Sequence, residues 1–145
     1  MADNDHEFFM KQCIEFALIA KQRGESPVGA ILVKGGKIIA TGIEGSKAHR
    51  DITFHAEIEA IRQAAKSRKS QDLSDCTLYT THEPCIMCTY VIRHTGINTV
   101  VIGVRTPDTG GYSSKFPLLL DDSITKWSDP PKLVLGILEE ECRAL

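Results

Sequence analysis

Four side chains in this sequence have types and spacings suited to hydrolytic metal chemistry: His55, Glu57, Cys85 and Cys88. The two cysteines lie in Pro84-Cys85-Ile86-Met87-Cys88, the one place where two of the five cysteines stand close together. In a reducing compartment that spacing marks a redox pair or a metal site more often than a disulfide staple, and composition does not choose between the first two. Position on a helix is compatible with metal. Residues at i and i+3 share a helix face, so both thiols can converge on one ion. With His55 they make one imidazole and two thiolates, leaving the fourth tetrahedral position of zinc open, as in catalytic sites. Helix N-termini stabilise thiolate over thiol, and Pro84 suits a helix start because it has no amide proton to leave unsatisfied. Glu57 stands two residues after His55, a spacing that does not share a face on a regular helix. Both reach one site only if the pair straddles a loop–helix boundary. So placed, Glu57 is a proton carrier beside the metal and not a ligand.

The elements that must position these residues follow from periodicity. Phe9, Cys13, Phe16 and Ala20 recur at helical spacing and predict a helix over 5–23, stopped by Gly24. Val28–Val33 and Lys37–Thr41 flank Gly35-Gly36, a two-residue hairpin signal. A polar loop over 42–53 leads to a helix over 56–69. Cys76–Thr81 has strand composition, a helix opened by Pro84 runs through His94, and Asn98–Val104 is a continuous apolar run suited to a buried parallel strand. Residues 105–131 are irregular, with a short helix expected over Phe116–Asp122. A strand over Lys132–Leu135 and a helix from Leu138 complete the order. This alternation predicts a mixed sheet covered by helices, in one domain over 1–145.

Composition narrows the classes. The chain has 145 residues, 42% hydrophobic and 25% charged, which is enough to bury a core and too apolar for disorder. Its 17 basic and 19 acidic residues give a formal charge of −2, so no general basic field holds a phosphate backbone. No apolar run is long enough to span a membrane, and MADNDHEFF is not a secretory signal. A cytoplasmic location with free thiols follows as the expectation; Cys13, Cys76 and Cys142 read as small packing residues.

His55-Ala56-Glu57 combined with Pro84-Cys85-Ile86-Met87-Cys88 resembles the cytidine deaminase-like superfamily of zinc-dependent deaminases. Pro27-Val28-Gly29-Ala30, HAEIEAIR at 55–62, LYTTHEPCIMC at 78–88 and GILEEECRAL at 136–145 extend the likeness over nearly the whole chain. They resemble most the branch holding guanine deaminases and tRNA adenosine deaminases. The resemblance implies a three-layer α/β/α fold with a five-stranded mixed sheet, zinc on His55, Cys85 and Cys88, and proton transfer by Glu57. It also implies a base contact from the Ala56 amide, and a homodimer. Phe54 is a candidate to stack on the substrate ring, with core packing as the plain alternative. Asp108 and Tyr112 are candidate substrate contacts in the irregular segment bordering the site. His82 and Glu83 line the pocket or cap the helix.

One position departs from the pattern. Many relatives carry Asn after the second hairpin strand, where this chain has Glu44. A carboxylate only accepts hydrogen bonds, whereas an amide also donates. Glu44 therefore points to a small heterocycle rich in N–H donors, such as guanine or a related 2-amino-oxo ring. The alternatives are adenosine-to-inosine editing of tRNA, supported by the basic run Lys66-Ser67-Arg68-Lys69, and a catalytically silent zinc-binding module.

Overall fold

The computed structural model describes residues 3–145. Helix α1 (Asp3–Gln22) leads into a hairpin of β1 (Gly29–Lys34) and β2 (Lys37–Ile43). Its turn residues Gly35 and Gly36 have φ of 56° and 77°, the left-handed region that a paired-glycine hairpin requires. A four-residue helix, α2 (Ser46–His49), interrupts the expected polar loop. Then follow α3 (Ala56–Arg68), β3 (Thr77–His82), α4 (Ile86–Thr95), β4 (Thr99–Val104), β5 (Lys132–Leu135) and α5 (Glu139–Arg143). The five strands form one mixed sheet in the order β2-β1-β3-β4-β5. β1 is antiparallel to both neighbours, while β3, β4 and β5 run parallel, as the apolar run of β4 predicts.

Strand alternation builds the three layers, since successive side chains point to opposite faces. Ile31, Val33, Tyr79 and Val101 pack with Phe9, Met10 and Cys13 of α1 and Cys142 of α5. Leu32, Leu78, Val100 and Ile102 face the other way, toward Ala56, Ala60, Ile61 and Ala64 of α3 and Ile92 of α4. Cys13, Cys76 and Cys142 are buried free thiols, in keeping with a packing role. No helix among the described residues is long and apolar enough to cross a membrane.

The helix expected over Phe116–Asp122 does not form. Arg93, buried on α4, donates from Nη1 to the carbonyls of Leu118 (2.8 Å) and Asp121 (2.6 Å), and from Nη2 to that of Ser128 (3.2 Å). Its guanidinium also lies 5.0 Å from the Trp127 ring centroid. Carbonyls that a helix would turn along its own axis are turned toward one buried cation instead, and turns replace the helix.

The contact that matters most for the site is between β2 and the start of α3. A Cβ added to Gly42 would lie 1.8 Å from the Ala56 carbonyl oxygen, so only glycine lets the helix begin this close to the sheet. Gly42→Ala is expected to keep the helical circular-dichroism signal yet weaken metal retention about tenfold, because His55 and Glu57 flank Ala56. Chelator competition measures this; retention equal to wild type would contradict it.

Candidate active site

His55 and Cys85 are the N-cap residues of α3 and α4, both with extended backbone (φ −80°, ψ 153° and φ −69°, ψ 174°). Cys85 thus precedes the first turn in which the sequence reading places it, and Cys88 follows within that turn. Neither cap side chain bonds a helix amide. Both turn to a common point: His55 Nδ1 lies 3.6 Å from Cys85 Sγ and 3.4 Å from Cys88 Sγ. All three donor atoms fall within 4.8 Å of one another. A tetrahedral zinc with its usual N and S bond lengths requires N···S edges of about 3.6 Å. The donor set and its spacing fit zinc.

The protonation pattern agrees. Hydrogen bonds from Cys88 and then His55 hold the Cys85 thiol down at about 4, so it is a thiolate at neutral pH. The hydrogen bond to Cys85 raises His55 to about 9. The hydrogen bond between Cys88 and Cys85, with burial second, pushes the Cys88 thiol up. One ligand is therefore ionised before any metal arrives, and a bound cation would ionise Cys88 and neutralise His55.

A cavity of about 230 Å³ opens beside this cluster, lined by Ser26, Val28, Glu44, His55, Glu57, His82, Glu83, Cys85, Thr106 and Thr109. Glu57, the second residue of α3, is 3% exposed, and burial raises its carboxyl to about 7. His55 in extended backbone and Glu57 on the first helical turn straddle the loop–helix boundary, which is how residues two apart reach one cavity. Glu44 is also buried and accepts a hydrogen bond on Oε2 from Ser46 Oγ at 2.8 Å. Ala56, fully buried, opens α3 between His55 and Glu57.

Three expected contacts are not among the residues that line this cavity. Phe54 stacks on His49, with ring centroids 3.7 Å apart, and is not part of the cavity wall. Asp108 is exposed, between the wall residues Thr106 and Thr109. The Tyr112 ring packs against the core cluster beneath α3 and α4.

Two buried carboxylates near the cavity were not singled out as structural anchors by the sequence reading. Glu25 accepts from the amides of Lys47 (2.9 Å) and Ala48 (2.8 Å), fixing α2 to the end of α1. Glu83 accepts from the 105–114 loop. The one local signal for Glu83 is its place directly before Pro84-Cys85; for Glu25 there is none, because its partners are more than twenty residues away.

Comparison with known proteins places this arrangement. A family profile of the cytidine and deoxycytidylate deaminase zinc-binding region matches residues 3–104. A tRNA-specific adenosine deaminase of Buchnera aphidicola (strain Bp) is 39% identical over 146 aligned positions, covering 100% of this chain and 87% of the relative. A structure from work on A-to-I editing by tRNA:A34 deaminases superposes with a TM-score of 0.87 at 31% identity, covering 94% of this chain and 97% of that one. Guanine deaminase from Bacillus subtilis gives a TM-score of 0.67 at 39% identity over 69% of this chain and 64% of that one.

In chelator-treated protein at pH 7, Cys85 is expected to be alkylated well ahead of Cys13, Cys76, Cys88 and Cys142. It is half-buried where they are buried, and it alone has its thiol lowered to about 4. The preference is present above that value and is lost as the pH falls through it. Zinc should protect the residue. Peptide mass mapping checks this, and uniform labelling of the five cysteines would contradict it.

Proposed function

The chain belongs to the zinc-dependent cytidine and deoxycytidylate deaminase family and is a deaminase, and from that premise we propose that its substrate is an adenosine of tRNA, converted to inosine. The observation that carries this reading is the end-to-end likeness to a tRNA-specific adenosine deaminase. It displaces the guanine reading that Glu44 favoured. The formal charge of −2 is no obstacle, because Lys47 and Arg50 stand exposed on the segment directly following Glu44. Cations at the lip of a cavity attract a phosphate backbone whatever the sign of the whole chain.

In this reading residues 1–145 form one deaminase domain in which His55 Nδ1, Cys85 Sγ and Cys88 Sγ hold zinc. When bound, zinc supplies Lewis acidity and an acidified water for hydrolysis. Glu57 moves both protons of the attacking water: it takes the first and passes it to the ring nitrogen, then takes the second from the new hydroxyl and passes it to the departing amine, leaving a carbonyl and ammonia. A carboxyl raised to about 7 suits this role, since it gives and takes a proton at similar cost near neutral pH. The Ala56 amide, at the start of a helix whose cap side chain bonds no helix amide, faces the base. Glu44 keeps one oxygen on Ser46 and offers the other to a substrate N–H. A homodimer belongs to the same proposal: Ile86, Tyr90, Phe116 and Leu120 expose apolar side chains on α4 and on the segment after β4. A cytoplasmic location suits the five free thiols.

A second reading, deamination of guanine or a related 2-amino-oxo base, is supported by the Glu44 carboxylate and by the likeness to guanine deaminase. A product assay over an anticodon stem-loop with a wobble adenosine, guanine, isocytosine and cytosine separates the two. The expected result is inosine in the stem-loop, formed in a salt-sensitive way; ammonia from free guanine alone would replace the first reading with the second. Glu57→Ala should keep one zinc per chain and lose about 10²–10⁴-fold in turnover. Substantial remaining deamination would overturn its role.

A further inference from the structure

Glu83 lies on the edge of the proposed active site and is neither a zinc ligand nor the proton carrier. It is 3% exposed, and its carboxylate collects four donors from a single loop. Oε1 accepts from the Thr106 amide (3.2 Å) and Ser113 Oγ (2.6 Å), and Oε2 from the amides of Tyr112 and Ser113 (both 2.9 Å). The Glu83 carbonyl accepts from Thr106 Oγ1 at 3.3 Å. The same loop meets the start of α4 twice more, through Ile86 N to Thr109 O (3.0 Å) and Gly111 N to Pro84 O (2.8 Å). The loop is built around the carboxylate: a Cβ at Gly110 would lie 1.7 Å from Glu83 Oε2. What this clamp holds in place is a wall of the cavity, because Thr106 and Thr109 line it opposite Ser26, Val28 and Glu44.

We propose that Glu83 is a positioning residue for deamination, fixing the 105–114 loop against the metal-bearing start of α4 so that Thr106 and Thr109 form the substrate-facing wall. The proposal rests on the reading of this cavity as the deaminase site. A charged acceptor with four converging donors in a buried setting is worth more than four neutral bonds, and removing it leaves those donors unpaired. Residues 105–114 open the segment between β4 and β5, and while Arg93 orders its later part, Glu83 is the buried charge bonded to this first part among the described residues. Its loss should therefore act on substrate binding first, while zinc, held from the other side of Pro84, stays.

Three variants test this. Glu83→Ala should raise KM at least tenfold with a smaller change in kcat, at an unchanged zinc content. Glu83→Gln should fall between it and wild type, since one amide oxygen can still serve Tyr112 and Ser113 while the NH₂ group faces the Thr106 amide. Gly110→Ala, with Glu83 intact, should reproduce the KM-dominated defect by displacing the carboxylate. Hydrogen exchange at the Thr106, Tyr112 and Ser113 amides should quicken in all three. Equal KM in Glu83→Gln, Gly110→Ala and wild type would overturn the proposal, as would loss of zinc or of kcat alone. Should the wild type turn over no substrate in the panel, the functional reading fails separately. Unchanged exchange at the three amides in Glu83→Gln and Gly110→Ala would still refute the clamp.

Discussion

Everything at this site depends on two helices beginning at the same place. His55 and Cys85 are thirty residues apart in the chain, yet each is the last extended residue before a helix, and those two helix starts converge on one face of the sheet. The N-cap position suits a ligand better than a helix interior does. Its side chain is not committed to a helix face, and the unpaired amides just beyond it favour negative charge. Cys85, held as a thiolate, occupies such a position. The sheet order makes the convergence possible: β3 delivers the chain to Cys85, β2 delivers it through α2 to His55, and β1 is the single strand between them.

The second feature is a ring of buried carboxylates in a chain close to neutral. Glu25, Glu44, Glu57 and Glu83 are all 3–6% exposed. Burial of a charge is costly without partners, and three of the four have hydrogen-bond donors built around them. Glu25 holds α2, Glu83 holds the 105–114 loop, and Glu44 holds Ser46. Glu57 ties down no other element among the described hydrogen bonds, with its own backbone amide as the bond that lowers it, and burial raises its carboxyl to about 7. The contrast separates architectural carboxylates from the one suited to exchanging protons at neutral pH.

Much of this was legible in the residues because the signals are local. Gly35-Gly36 announces the hairpin, the apolar run over 98–104 the buried parallel strand, and Cys85 with Cys88 the shared helix face. His55 and Glu57 could be joined to that pair because a two-residue spacing makes chemical sense only at a loop–helix boundary. What was not legible is what depends on distant partners. Phe116–Asp122 has no internal reason to avoid a helix; its carbonyls are drawn off by Arg93, more than twenty residues away. Phe54 is aromatic and adjacent to a ligand, but His49 claims its face. Net charge carries little weight here: a sum over the molecule says nothing of where its cations stand, such as Lys47 and Arg50 after Glu44.

The central claim is an open, catalytic zinc site made by one imidazole and two thiolates. Zinc K-edge X-ray absorption of the purified protein tests it most directly. Two sulfurs at about 2.3 Å and two nitrogen or oxygen neighbours at about 2.0 Å are predicted, the second being solvent. A shell of three or four sulfurs, or no bound zinc at all, would contradict the account.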